Sequence, residues 1–480
     1  KVKVIIVGRI SKTFKQFPQT FWIANSIELF ERWAWYGFFM LFANYLTGSS
    51  DVGGLEFTQT QKGLIMGVGT GILYFLPVLT GSIADKYGYK RVLLIAFIIY
   101  TSAFILLPLF NTFAGVFAMY LYLAVGAALF KPIIQATVAK TTTNNTSSIG
   151  FGIFYMMVNI GAFFGPMITL LYKSNYELVF YISAGVVALN FILLLFYREP
   201  GRTKSTETLS STINQVFKNI WLVLHDFKFV IFLLIVAGFW TMYYQLFFTL
   251  PVFVTQWVDT SNLYDFFNTY IPVVAKEYGS HGNMESEFIV NFDALFIILF
   301  QVFISALVMK KKSLNTMIAG FIIASIGMAL TLVTQNVIFV LVAILIFSIG
   351  EMAASPKITE YIGRIASSDK KALYMGYSFL PVFLGSIFAG FISGNVYQSM
   401  SDKHALLVKE VSLRGFIIPD GLSSNKYFAE AASQMNLSQR ELTNYLWNNY
   451  HPSNIWIVII SIGLFSALCL WLYNRFLIKA

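Results

Sequence analysis

The sequence predicts an all-α membrane protein of twelve transmembrane helices arranged as two six-helix bundles. Three observations carry this. Apolar runs long enough to cross a bilayer recur from Phe21 to Leu477. Basic residues gather in alternate loops, and a polar connection, 201–228, parts the runs six from six. Hydrophobic residues make up 57% of the chain and charged ones 12%, where a soluble domain carries about 25% charged. A bilayer core needs about 20 apolar residues per helix, so the chain reads as a multi-pass protein embedded in lipid. Its lone cysteine, Cys469, rules out an intrachain disulfide framework and a cysteine metal cluster. The net charge of +10 is not read as a nucleic-acid surface, because Lys and Arg sit in short loops on one side.

In order, the runs are Phe21–Leu46, Gln59–Ala84, Arg91–Phe110, Phe113–Ala139, Ile149–Tyr172, Leu178–Tyr197, Phe229–Trp257, Ile289–Met309, Thr316–Thr334, Val337–Ile362, Ala372–Tyr397 and Ile455–Leu477. Residues 1–200 form the first bundle and 229–480 the second. Lys12, Lys15, Lys86, Lys90, Arg91, Arg198, Arg202, Lys204, Lys310, Lys311, Lys312, Arg364, Lys370, Lys371, Arg475 and Lys479 all fall on one side. Both termini are therefore expected in the cytoplasm, in a plasma (inner) membrane. Lys1–Gln19 lacks the apolar core of a cleavable signal, so the first helix is expected to direct insertion. The connection is expected to carry a surface helix over Ile213–His225. Two large loops, 258–288 and 399–454, face outside; the second is expected to hold one helix, Lys426–Trp447, after a Pro419-Asp420-Gly421 turn.

The first run contains Glu28, Glu31 and Arg32. Each charge at mid-membrane costs about 2.5–3.5 kcal/mol if isolated. Spacings of three and four place all three on one helical face, so they look into protein or a water-filled cavity. Trp35, Tyr36 and Phe39 continue that face. In the fourth run, Lys131 lies eight residues from the helix end, about 12 Å, a depth that matches Glu28 and predicts a pair between them. The bland reading of Lys131 is a side chain snorkelling to the interface. Pro132 removes a backbone donor beside it. Asn159 of the fifth run stands near Gly161 and Ala162, where it serves either a pocket or helix packing. Glu351 of the tenth run has no cation near it in sequence, with Ser355 and Pro356 following; an intramembrane carboxylate is a functional-site hypothesis by default. Phe239, Trp240, Tyr243, Tyr244 and Gln245 offer aromatic faces and an amide at comparable depth.

Two resemblances follow from these residues. Gly81-Ser82-Ile83-Ala84-Asp85-Lys86-Tyr87-Gly88-Tyr89-Lys90-Arg91 resembles the loop between the second and third helices of the major facilitator superfamily. Glu28-x-x-Glu31-Arg32-Trp33-x-Trp35-Tyr36-Gly37 resembles the motif of its proton-dependent oligopeptide transporter family. Phe130-Lys131-Pro132, Phe154-Tyr155 with Asn159 and Gly161, Phe239-Trp240 with Gln245, and Glu351 with Ser355-Pro356 are similar to further family segments, in order. The resemblance implies proton-coupled import of di- and tripeptides by alternating access, by a monomer, with protons as the coupling ion and no cofactor or metal. It implies proton coupling by Glu28, Glu31, Arg32 and Lys131. It implies peptide binding by Arg32 and Lys131 at the carboxylate and Glu351 at the ammonium, with Tyr36, Tyr74, Asn159, Trp240, Gln245 and Ser355 around them.

The chain also departs from that family. Phe39 stands where an arginine is common, Tyr244 where a glutamate is common, and Trp35 where a tyrosine is common. Losing both charges together suggests an apolar or aromatic gate in place of an ionic one. A same-fold transporter of another carboxylate or a modified peptide-like metabolite remains open, as does a receptor or scaffold using the outer loops. An intramembrane enzyme is disfavoured: the chain has no H-E-x-x-H and no G-x-S-x-G, and its four histidines are scattered in loops or at helix ends.

Overall fold

The structure is a computed structural model that describes residues 16–478 apart from 144–145, 202–210, 212–213, 216–217, 219–220, 222–224, 333 and 366–376. Among the described residues, nine helices are long and apolar enough to span a bilayer. Gln59–Phe75 and Pro77–Tyr87 form another span, bent by 44°. The bend follows from Pro77, which has no N–H to continue the ladder and opens a new helix at its first position. Ser313–Ala329 is a shorter apolar helix, and Gln19–Thr47 is the 29-residue helix bearing the three charges. These are the twelve expected spans, each within a few residues of its predicted limits where described. Lys12, Lys15, Arg202, Lys204, Lys370, Lys371 and Lys479, the start of the eleventh span and most of Ile213–His225 lie outside the described residues.

Apolar helices in lipid gain little from the hydrophobic effect between themselves, so close backbone approach at small residues holds them. In the first bundle, a Cβ added to Gly161 of the fifth span (Ser147–Leu170) would fall 2.7 Å from the Arg32 Cβ and 2.8 Å from the Leu29 carbonyl oxygen. In the second, a Cβ on Gly320 would fall 2.7 Å from the carbonyl oxygen of Gly350, where the ninth and tenth spans cross. The bundles themselves touch through the second and eleventh spans, Gly63 and Gly67 lying against the Gly390 backbone.

The face that carries loops 258–288 and 399–454 is more ordered than the sequence suggested. The first loop folds into helices Ser261–Tyr270 and Pro272–Tyr278 and a hairpin pairing Gly279–Ser280 with Asn283–Met284. The second forms three helices, Lys403–Arg414, Ser424–Gln434 and Gln439–Tyr450, not one. The expected Lys426–Trp447 helix breaks at Asn436, whose φ is +55°, and restarts at a capping box of Ser438 and Glu441. This layer of short helices caps one face of the molecule.

Candidate functional site

The site begins with the cluster on the first span. Glu28, Glu31 and Arg32 are 6%, 0% and 5% exposed, so none of the charges reaches bulk water. Arg32 grips Glu31 with two parallel bonds, Nε to Oε2 at 2.5 Å and Nη2 to Oε1 at 2.6 Å, the strong bidentate geometry of a guanidinium and a carboxylate. Glu28 lies one helical turn away, 3.4 Å from the same Nε. From the third span (Tyr89–Leu106), the buried Tyr100 hydroxyl donates to Glu31 Oε1 at 2.7 Å. Glycine is required at 161 because the first and fifth spans meet backbone to backbone beside this cluster.

Lys131 stands in the fourth span, Phe113–Lys140, which continues through Pro132 as one helix. The expected Glu28–Lys131 ion pair is not formed. No carboxylate lies within 4.0 Å of Lys131 among the described residues; its Nζ sits over the Tyr74 ring, 4.1 Å from the centroid. Lys131 is still an electrostatic neighbour of Glu28, but Arg32, on the same helix face, takes the place within bonding distance of that carboxylate. Tyr74 is positioned by the second span's break, three residues before Pro77. A cation held by a tyrosine, through its ring and a side-chain hydrogen bond, and not by a touching carboxylate, is available to an incoming anion.

Tyr36 joins the two bundles. Its ring lies 5.8 Å from the Arg32 guanidinium carbon, and Arg32, Tyr74, Glu31 and Glu351 are its electrostatic neighbours. Glu351 comes from the tenth span (Val337–Ile365) with its Oε2 buried and unpartnered. The Ser355 hydroxyl, one turn on, is likewise buried without a partner. Asp293 of the eighth span is 6% exposed, accepts a hydrogen bond from Ser348 Oγ at 2.5 Å, and is an electrostatic neighbour of Glu351. The sequence reading passed over Asp293, although a carboxylate inside an apolar run carries the same cost that singled out Glu351.

Two expected pocket residues have other employment. Gln245 is fully buried: its amide nitrogen donates to the carbonyls of Thr241 and Ala389, and its oxygen accepts from Thr249 at 2.5 Å. It fastens the interrupted seventh span, Phe227–Tyr243, Gln245–Phe248 and Leu250–Trp257, to the eleventh, and both its amide hydrogens are spent there. Asn159 donates to its own helix at Tyr155 O, 2.7 Å away, and keeps its oxygen free. Trp240 is half-buried and packs on Tyr243 and Tyr244 at centroid distances of 4.9 and 6.3 Å. Tyr244 in turn meets Tyr74 at 6.5 Å and Phe248 at 5.3 Å. Phe39 does not touch Tyr244 directly; its ring packs on Phe247 and Phe248 at 5.7 and 6.1 Å. Beside them Lys62, wholly buried in the second span, donates to the Phe248 carbonyl at 2.8 Å. The bundles are thus sealed on the capped side by rings and backbone.

The chemistry is of two poles around one tyrosine. One holds two acids and two cations, and the other two acids with no ion pair among the described residues.

Residues 22–390 match the family model of the Major Facilitator Superfamily. The chain is 23% identical over 328 residues to an uncharacterized MFS-type transporter, YqjV, of Bacillus subtilis, covering 66% of this chain and 73% of that one. It is 27% identical over 207 residues to dipeptide and tripeptide permease A of Pectobacterium carotovorum, covering 42% and 40%. Among solved structures, a POT family transporter in complex with 5-aminolevulinic acid superposes with a TM-score of 0.70 at 18% identity, over 96% of this chain and 99% of that one.

Proposed function

The chain belongs to the Major Facilitator Superfamily, and on that premise we propose that it imports di- and tripeptides with protons by alternating access. The observation that carries this is the pair of unlike poles sharing Tyr36. A zwitterionic peptide presents a carboxylate and an ammonium at its two ends. Lys131, free of any carboxylate contact within 4.0 Å among the described residues, and Arg32 receive the carboxylate. Glu351, supported by Asp293, receives the ammonium, which supplies the cation that pole lacks.

Protons enter at Glu28 and Glu31. The proton occupancy of a carboxylate in a dry cavity depends on which cations touch it. With Arg32 shared between two acids, protonating Glu28 frees part of that cation for substrate. No cofactor is needed, only protons as the coupling ion. The capped face is the outside of a plasma (inner) membrane, the linker and both termini are cytoplasmic, and the monomer is the working unit. The seal of Phe39, Phe247, Phe248 and Lys62 then closes the outer side. The likeness to the dipeptide and tripeptide permease supports the cargo, and the POT family transporter supports the fold.

The test is reconstitution. In proteoliposomes, an inward proton gradient drives uptake of alanylalanine, and Lys131→Ala abolishes it. Correctly inserted protein that takes up no di- or tripeptide contradicts the proposal.

A further inference from the structure

Beneath the short helices of the capped face lies a polar cavity of about 1030 Å³, at the top of the size range of small-molecule sites. Both bundles wall it: Asn44 to Gln59 from the first, and the loops and helices after the seventh and eleventh spans from the second. Most charged groups on its lining are already committed. Arg440 pairs with Asp259 at 2.8 Å and Glu285 with Lys173 at 2.5 Å. Glu56 accepts from the backbone N–H groups of Ser50 and Ser424, and Lys403 lies over the Phe428 ring at 4.4 Å.

Gln59 and Asp402 remain. Gln59 is 2% exposed and Asp402 6%. The Gln59 amide nitrogen donates to Asp402 Oδ1 at 2.9 Å, which fixes the amide's orientation because a carboxylate only accepts. Its backbone N–H donates to Gln398 at 2.6 Å, and Gln256 also donates to Asp402 Oδ1, at 2.9 Å. The Gln59 side-chain oxygen is left buried and unpartnered. Asp402 Oδ2 caps the helix that follows, accepting from the Ala405 N–H at 3.0 Å, and the buried Lys62 is an electrostatic neighbour, though no cation lies within 4.0 Å of this carboxylate among the described residues. The orphaned Gln59 oxygen is thus what the cavity leaves unmet, at a cost of about 1–3 kcal/mol, and a carboxylate touched by no cation beside it favours an N–H donor with positive charge.

We propose that this cavity is a second substrate site, in which Gln59 and Asp402 hold the ammonium group of a short peptide between the two bundles on the capped face. The proposal rests on the peptide reading above and adds a docking step that precedes entry to the central site. Because Gln59 belongs to the first bundle and Asp402 to the second, an ammonium bound there contacts both halves at the surface where they must part.

Calorimetry on the purified full-length protein tests it, with alanylalanine and its N-acetyl derivative as probes. Wild type is expected to bind two equivalents of alanylalanine and Lys131→Ala one. Adding Gln59→Leu to Lys131→Ala is expected to weaken that remaining site at least tenfold. In Lys131→Ala alone, the remaining site is expected to prefer the free amine over the acetylated peptide at least tenfold. A single site in wild type, or a second site indifferent to Gln59→Leu, overturns the vestibule site while proton-driven uptake leaves the transport reading intact. Ammonium binding dependent on Gln59 in a protein that imports no peptide overturns the transport reading instead.

Discussion

In the first bundle, Arg32 touches Glu31 at 2.5 Å and Glu28 at 3.4 Å, and the Tyr100 hydroxyl completes the set. In the second, Glu351 is met by the Tyr243 hydroxyl and keeps one oxygen with no partner, and Asp293 is met by the Ser348 hydroxyl, with no cation within 4.0 Å of either among the described residues. The two halves are packed alike, glycine against backbone, yet charged differently. A bundle that neutralises its own charges stays folded without help. A bundle holding unmatched acids is waiting for a cation, and a substrate amine is the one this geometry admits.

That contrast breaks most sharply under single substitutions. Arg32→Ala strands two buried carboxylates and should cost about 3–5 kcal/mol of stability, read as a fall in the melting temperature of detergent-purified protein. Gly161→Val and Gly320→Val should each lower stability by about 1–3 kcal/mol through overpacking. Equal losses would show that the halves differ in charge and not in packing. Glu351→Gln should leave stability within about 1 kcal/mol of wild type, because it removes an uncompensated charge and not half of a pair. A large loss there would mean that a cation already serves the second pole.

The smallest effect concerns the contact between the first bundle and the cap. Ser49 bonds Asp51 and holds its carboxyl below the usual range, with Asn425 adding to it. Burial works to raise Glu56, but the backbone N–H groups of Ser424 and Ser50 win and lower it. Both acids are thus lowered in the closed form, so their contribution is present above the ordinary carboxylate pKa and fades as pH falls through the lowered values. The protection of the Ser424 and Asn425 amides, their exchange compared with an unprotected amide at the same pH, should fall in acid, and Glu56→Gln should remove most of that pH dependence.

The spans were legible because bilayer thickness sets helix length, and the charged stripe because lipid makes charge costly. Asp293 was legible by the same rule and was missed. The break at Asn436 was half visible, in the Ser438–Glu441 capping box. Two features were not. Gln245 looked like a pocket amide, but the seventh span's interruption at Tyr244 turns it into the eleventh helix, and helical periodicity carries no sign of that. Lys131 and Glu28 are electrostatic neighbours, as residue counting suggested, but which cation comes within bonding distance of Glu28 depends on how two helices are rotated against each other.

The central claim is that the second pole reads an ammonium. Competition by alanylalanine and N-acetyl-alanylalanine, measured on wild type and Glu351→Gln, tests it directly. The account predicts that wild type prefers the free amine at least tenfold and that, with the cap-side site removed by Gln59→Leu in both proteins, Glu351→Gln binds the two within a factor of two. An undiminished preference in Glu351→Gln would contradict it.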